Sequence, residues 1–138
     1  RRTELEEQGL LSPLAAGSNV VVHNGVSDEE YAELLESAHA LVTASRAEGY
    51  GLPVVEAQAA GCPAVISDID IFREIAPHAV FAPVTENPQA DARAWVEAIR
   101  SLEDDAVRDR VILEGLQDAS HYSWRDSALK LVRVVRGL

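Results

Sequence analysis

Four short apolar runs, each followed by a stretch with helical periodicity, constrain the fold of this 138-residue chain more than any other feature. The first run, NVVVH, is a continuous β-branched segment, which is typical of a strand buried on both faces of a sheet. Strands that alternate with helices predict an α/β fold, a Rossmann-like parallel sheet with helices on both faces. The predicted strands cover residues 19–23, 40–44, 63–67 and 79–82.

The helix after the first run has the clearest start. Ser27 is a capping residue, Glu30 completes a capping box three positions later, and Val26 can pack against Tyr31 as a hydrophobic staple. Apolar residues at helical spacing predict its buried face, which comprises Tyr31, Leu34, Leu35 and Ala38.

The later helices are also marked at their ends. Pro53 opens a short helix that Gly61 ends, and residues 70–75 form another. The last three begin at Asn87 with Pro88, at Asp104 or Asp105, and at Ser123. We expect their core-facing residues to be Ala92, Trp95, Val96, Ile99 and Leu102, then Val107, Val111 and Leu116, and finally Trp124, Ala128, Leu131, Val132 and Val135.

The composition excludes some classes of partner and indicates the cellular compartment. The net charge of −11 argues against nucleic acid and against a strongly anionic membrane surface as partners. A single cysteine, Cys62, fits a reducing compartment, so we expect a cytoplasmic protein. Peripheral association with the inner face of the membrane is an option only for the full-length protein. The chain contains no methionine and opens on Arg1, from which we expect a piece of a longer protein.

The loop after the second run is the richest in chemistry. Ligands of parallel sheets bind beyond the carboxyl ends of the strands, and Gly49 and Gly51 there allow close backbone approach. The amides at the following helix start favour an anion, and Glu48 and Glu56 can each accept hydrogen bonds from vicinal hydroxyls. A plain structural explanation also exists, since glycines mark turns and a glutamate near a helix start favours the helix dipole.

The string EGYGLPVVEAQAAGCPAVIS, residues 48–67, resembles the central motif of the family-four retaining glycosyltransferases. The resemblance extends upstream through VSDEEYAELLESAHALVTAS and downstream through DIDIFREI and YSW. It implies that residues 1–138 form a single domain, part of the C-terminal, donor-binding half of a GT-B fold. The acceptor-binding N-terminal domain of the same protein would then be missing from this chain.

The resemblance also implies roles for individual residues. Glu56 is expected to bind the ribose hydroxyls of a nucleoside diphosphate sugar, and Glu48, the implied catalytic residue, to contact hydroxyls of the transferred sugar. The loop from Val26 to Asp28 is expected to touch the nucleobase. No metal ion and no cofactor is implied. The amides expected to meet the sugar and the diphosphate belong to Gly49, Tyr50, Gly51 and Leu52.

Some residues depart from the family pattern. Asn24 stands where the family usually has glycine, and Gln58 occupies a position that is often apolar, which we interpret as a packing variation. The family's diphosphate-gripping Arg and Lys would lie before this chain, so we expect the isolated chain to bind a donor weakly and to transfer nothing. Two alternatives stay open: a non-catalytic sugar-nucleotide-binding module with the same half-fold, and an epimerase or hydrolase on the related scaffold.

Overall fold

The computed structural model describes residues 21–137. In that part of the chain the elements follow one another as α1 (Asp28–Ser37), β1 (Leu41–Thr43), α2 (Leu52–Ala59), β2 (Ala64–Ser67), α3 (Asp70–Ile75), β3 (Val80–Ala82), α4 (Pro88–Arg100), a 3-10 turn (Ser101–Glu103), α5 (Asp105–Ala119) and α6 (Trp124–Arg136).

The three strands form one parallel sheet in the order β1-β2-β3. Leu41 is opposite Ala64 in the register, and Val65 is opposite Val80. Because all strands run the same way, the loops that follow them meet at one edge of the sheet. This edge is where the site-bearing loop was expected.

The central strand β2 is buried along its whole length, and its residues alternate between two cores. Ala64 and Ile66 pack with apolar residues of α2 and α3, whereas Val65 packs on the opposite side with apolar residues of α4 and α5. Helices therefore cover both faces, as predicted. A smaller core joins α1 to the end of α2 through Leu35, Ala57 and Cys62.

The predicted helix starts are confirmed by their capping hydrogen bonds. The Ser27 amide donates to Glu30 Oε2 at 2.8 Å and the Glu30 amide donates to Ser27 Oγ at 3.2 Å, which completes the capping box. The side chains of Asn87, Asp104 and Ser123 accept hydrogen bonds from backbone amides in the first turns of α4, α5 and α6. The strand predictions for the second, third and fourth runs hold to within one or two residues.

The first predicted strand is wrong over its described residues. Residues 21–23 form no strand, and Val21 is 74% exposed, because no described segment pairs with them beside β1. Asn19 and Val20 lie outside the described residues.

The faces of several helices also differ from the prediction. Ala92 and Val96 on α4 and Leu34 on α1 are exposed. On α5, Leu116 is exposed because the helix turns Gly115 toward α2, close enough for that glycine to contact the Gln58 side chain. Gln58 is only 3% exposed, and its Oε1 has no hydrogen-bond partner among the described residues.

The predicted core face of α6 is not a core face in the described chain. Trp124 is 80% exposed, Leu131 65% and Val135 77%, and Ala128 and Val132 are exposed as well. No residue of α6 is buried, because no described element packs along the helix. The periodicity correctly predicted an amphipathic helix, but the described core ends before it.

Candidate functional site

The loops that follow the three strands are tied together at the carboxyl edge of the sheet. Ser67, at the end of β2, donates its hydroxyl hydrogen to the Thr43 carbonyl of β1 at 3.3 Å. Arg46, in the loop after β1, donates from Nη2 to the carbonyl of Thr85 in the loop after β3 at 3.0 Å. The edge is therefore one connected surface.

Gly51 gives the turn before α2 its shape. Its φ is +88°, and a Cβ there would lie 2.8 Å from Phe72 Cε1 and 2.9 Å from Ile75 Cδ1. A side chain is thus opposed both by the left-handed backbone and by the core beneath it. Gly49 is different, because its φ is not positive and a Cβ would meet nothing within 4 Å. Of these two glycines, only Gly51 has a backbone conformation that requires glycine.

The turn offers a set of backbone donors. Within the described chain, the amides of Gly49, Tyr50, Gly51 and Leu52 donate to no acceptor. The amides in the first turn of α2 were also expected to bind an anion. They can contribute less than expected, because Pro53 has no N–H and the Val54 amide donates to the Gly51 carbonyl at 3.0 Å. The anion-binding potential of this segment lies in the turn itself.

Glu48, immediately before the turn, is exposed and held by a serine. Ser45 Oγ donates to Glu48 Oε1 at 2.7 Å, and Thr43 Oγ1 lies 3.3 Å from Ser45 Oγ. This short chain of hydroxyls orients the carboxylate from one side. Its second oxygen makes no hydrogen bond to a described residue, so the carboxylate can still accept hydrogen bonds from hydroxyl groups of a ligand.

Glu56 lies on the exposed side of α2, near Tyr31 of α1. Burial, and then the negative charge of Glu56, raise the pKa of Tyr31. On its other side Glu56 lines a cleft of about 440 Å³. The cleft also contains Tyr50 and Leu52 from the turn, together with Tyr122, Ser123, Trp124 and Ser127 around the start of α6.

The structure places the predicted base-binding residues apart from that cleft. Val26 lines a separate cavity of about 290 Å³ beside α1, together with His23 and Glu30. Asp28 is the exposed first residue of α1. The turn, Glu48 and Glu56 are thus neighbours along one segment, and Val26 and Asp28 form a second region of the surface.

Ser45 and Arg46 at this edge were not predicted from the sequence. Asp68, which follows β2 at the same edge, accepts two hydrogen bonds from Arg73, at 2.5 and 2.7 Å, which lower the pKa of the Asp68 carboxyl. Arg73 also lies over the Phe81 ring, 4.9 Å from its centroid. The sequence signal that could have drawn attention to Arg46 is its positive charge close to Glu48 in an otherwise acidic chain. Nothing in the sequence indicated its partner.

Tyr122 lies on the wall of the cleft. Its ring meets that of Tyr50 edge to face, with centroids 6.1 Å apart. This contact connects the glycine turn to the segment before α6. Burial chiefly raises the pKa of Tyr122, and the Tyr50 hydroxyl adds to the effect.

Residues 21–137 contain no candidate for two other kinds of site. No group of three or more His, Cys, Asp or Glu side chains there is placed to hold a metal ion. No helix in the same residues combines the length and the apolar character needed to cross a membrane.

Comparison with known proteins gives a family assignment. Residues 4–117 match the model of the family described as glycosyl transferases group 1. The serotype-specific mannosyltransferase WbdA of Escherichia coli is 40% identical over 81 residues, which are 59% of this chain and 10% of that protein. D-inositol 3-phosphate glycosyltransferase 1 of Catenulispora acidiphila is 32% identical over 128 residues, 92% of this chain and 30% of that protein.

A solved structure supports the fold. Sucrose-phosphate synthase from Thermosynechococcus elongatus superposes with a TM-score of 0.75 and 26% identity, covering 99% of this chain and 34% of that one. This chain spans between about a tenth and a third of the length of these proteins. The predicted Rossmann-like half of a GT-B fold is confirmed. The chain belongs to the group 1 glycosyltransferase family.

Proposed function

We propose that this chain is the donor-binding part of a retaining glycosyltransferase, which transfers a glycosyl group from a nucleoside diphosphate sugar to an acceptor hydroxyl. One observation carries the proposal: a turn of four amides without described acceptors lies between Glu48 and Glu56 at the carboxyl edge of the sheet. Diphosphates bind such turn amides, and carboxylates bind sugar hydroxyls.

In this proposal each part of the segment has one task. The amides of residues 49–52 meet the sugar and the diphosphate, and Glu48 accepts hydrogen bonds from the transferred sugar. Glu56 accepts them from the ribose, while the segment from Val26 to Asp28 contacts the base. Catalysis would rest on positioning and on stabilising the charge of the departing diphosphate.

The names of the relatives support a sugar-transfer reaction, since they are mannosyltransferases and inositol phosphate glycosyltransferases. Because this chain spans about a third or less of their length, we propose that a second domain of the same protein binds the acceptor. We also propose that the protein works in the cytoplasm, in keeping with its single, buried cysteine. Cell fractionation tests that location.

The chain on its own should bind a donor at millimolar affinity or more weakly, and should transfer nothing. Anion stabilisation at a helix start reaches at most ~2 kcal/mol, and a hydrogen bond to a charged group contributes ~1.5–3 kcal/mol. Even millimolar binding requires about 4 kcal/mol after the costs of association. Titration with UDP-, GDP- and ADP-sugars by NMR measures the affinity, and micromolar binding would contradict the expectation.

In the full-length protein, Glu56→Ala and Glu48→Ala should have different kinetic effects. Loss of the Glu56 contact should raise the donor KM by about ten- to a hundredfold, the equivalent of ~1.5–3 kcal/mol. Loss of Glu48 should mainly lower kcat, because its contact is made to the sugar being transferred. Steady-state kinetics with the preferred donor measures both.

Glu97→Ala, at an exposed position of α4, is the matched control and should keep wild-type kinetics. If both site variants behave like this control, the site assignment is wrong. A full-length protein that binds a donor yet transfers to no acceptor would favour the non-catalytic binding module.

A further inference from the structure

Arg46 reaches across the carboxyl edge of the sheet. It lies in the loop after β1, two residues before Glu48, whereas its partners Thr85 and Glu86 follow β3. Since β2 lies between these two strands, the contact joins the loops that follow the two outer strands of the sheet. The contact is long-range in sequence: Arg46 is separated from Thr85 by 39 positions and from Glu86 by 40.

The far end of this contact is held firmly. The Thr85 amide donates to Asp91 Oδ2 at 2.7 Å, and Thr85 Oγ1 donates to Asp91 Oδ1 at 2.8 Å. Asp91 is 9% exposed, and the Asn87 amide donates to Thr85 Oγ1 at 3.0 Å. Thr85 is thus fixed by both oxygens of a buried carboxylate at the start of α4.

The two bonds of Arg46 are unequal. Its ion pair with Glu86 is 3.4 Å long, and the Glu86 side chain is 99% exposed, so solvent screens it. The bond to the Thr85 carbonyl is 3.0 Å long and ends on an anchored backbone. The hydrogen bond from Arg46 to the Thr85 carbonyl should therefore restrain the loop more than the ion pair does.

We propose that Arg46 is a positioning residue, which fixes the loop carrying Glu48 and the turn amides against the anchored loop after β3. Among the described residues, the Glu48 carboxylate is hydrogen-bonded only to Ser45 of the same loop, so Arg46 supplies the link from this loop to the far side of the edge. A shift of a donor site by about 1 Å can cost a hundredfold in rate. The proposal rests on the proposed function for its kinetic consequence alone.

The first test needs no ligand. Amide hydrogen exchange is followed by NMR in the 138-residue chain and in three variants, Arg46→Gln, Arg46→Lys and Glu86→Gln. In Arg46→Gln the Val54 amide, which donates to the Gly51 carbonyl at the end of the turn, should exchange about tenfold faster, the equivalent of ~1.4 kcal/mol. Amides of α5 should be unchanged. Arg46→Lys should restore part of the protection, since an ammonium can still donate to the Thr85 carbonyl.

Glu86→Gln is the control that removes only the exposed ion pair, and it should leave the exchange rate of the Val54 amide unchanged. Unaltered exchange in Arg46→Gln would overturn the proposal. So would an equal effect of Glu86→Gln, because the ion pair would then be the holding contact.

The second test uses the full-length protein. Arg46→Gln should lower kcat/KM for the donor about tenfold, and the Lys variant should recover part of it. If the wild-type protein binds no sugar nucleotide, the proposed function fails, while the exchange experiment still decides whether Arg46 positions the loop. If the donor binds and Arg46→Gln keeps full kcat/KM, the positioning role is refuted.

Discussion

At the scale of single residues, Gly51 tolerates the least change of the residues in the turn. Its left-handed backbone and its contact distances to Phe72 and Ile75 both oppose a side chain. The same core residues pack against β2, so a shift at this turn is transmitted directly to the sheet.

Gly51→Ala should therefore destabilise the chain by at least ~2 kcal/mol, the sum of backbone strain and overpacking. Gly49→Ala is a matched control two residues away in the same turn, and its Cβ would enter open space. Urea unfolding of both variants measures the difference. Equal losses of unfolding free energy would show that the core contact at Gly51 is unimportant.

The sequence predicted the chemical groups of the candidate site but not what holds them. Glu48 and Glu56 are candidates because a motif fixes their spacing, and Gly51 because its turn needs a glycine. The anchors of Arg46 and the close approach of Gly115 to Gln58 depend on which loops and helices meet in three dimensions. No local pattern encodes such meetings.

At the scale of elements, one ion pair joins the start of β3 to the end of α5. His78 Nδ1 lies 2.8 Å from Asp118 Oδ1, and the His78 amide donates to Asp118 Oδ2 at 3.3 Å. The hydrogen bond to Asp118, and then its negative charge, raise the pKa of His78. The pair lies before β3, away from the carboxyl edge.

This pair should make the stability depend on pH. Because the folded pKa of His78 is raised above its unfolded value near ~6.5, the stabilisation is fully present below that value. It is lost as the pH rises through the folded pKa. The free energy of unfolding of the wild type should exceed that of His78→Gln by more at pH 5.5 than at pH 9.

Chemical denaturation at both pH values measures this difference. In an Asp118→Asn background, the pH-dependent effect of His78→Gln should be much smaller, since only the weaker influence of the Glu114 charge remains. A difference that is the same at both pH values, or that persists undiminished in that background, would assign the effect to another group.

The sequence predicted well where most helices and strands begin and end. It did not predict which of them pair or pack with one another. Capping residues and prolines mark helix starts locally, so the starts of α1, α4, α5 and α6 agree with the sequence. Strand formation needs a neighbour, which explains why an apolar run at 21–23 forms no strand beside β1. Helix faces depend equally on what packs against them.

At the scale of the whole molecule, α6 is the largest departure from the prediction. Its apolar residues repeat at helical spacing, yet in the described chain all of them are exposed. An amphipathic pattern shows that a face is suited to burial. It does not identify the surface that would bury it.

Replacing Leu131 and Val135 by Gln should therefore change the free energy of unfolding by only ~0.5 kcal/mol each. The same replacement should reduce self-association of the chain, because it removes exposed apolar area. Val111→Gln, at a buried position of α5, is the contrasting variant and should unfold the domain or cost ~3 kcal/mol.

Denaturation and sedimentation velocity measure the two effects. If Leu131→Gln with Val135→Gln destabilises the chain as strongly as Val111→Gln, α6 belongs to the folding core after all.

The unequal environments of the two tryptophans have an optical consequence. Trp95 is half-buried and donates from Nε1 to the Pro83 carbonyl at 2.9 Å, whereas Trp124 stands exposed on the wall of the cleft beside Glu56. Emission from Trp124 should be red-shifted and open to collisional quenchers, and emission from Trp95 should be less so. Trp124 should therefore act as an intrinsic fluorophore whose emission shifts when the cleft is filled, and a Trp95→Phe variant would isolate that signal without any added label.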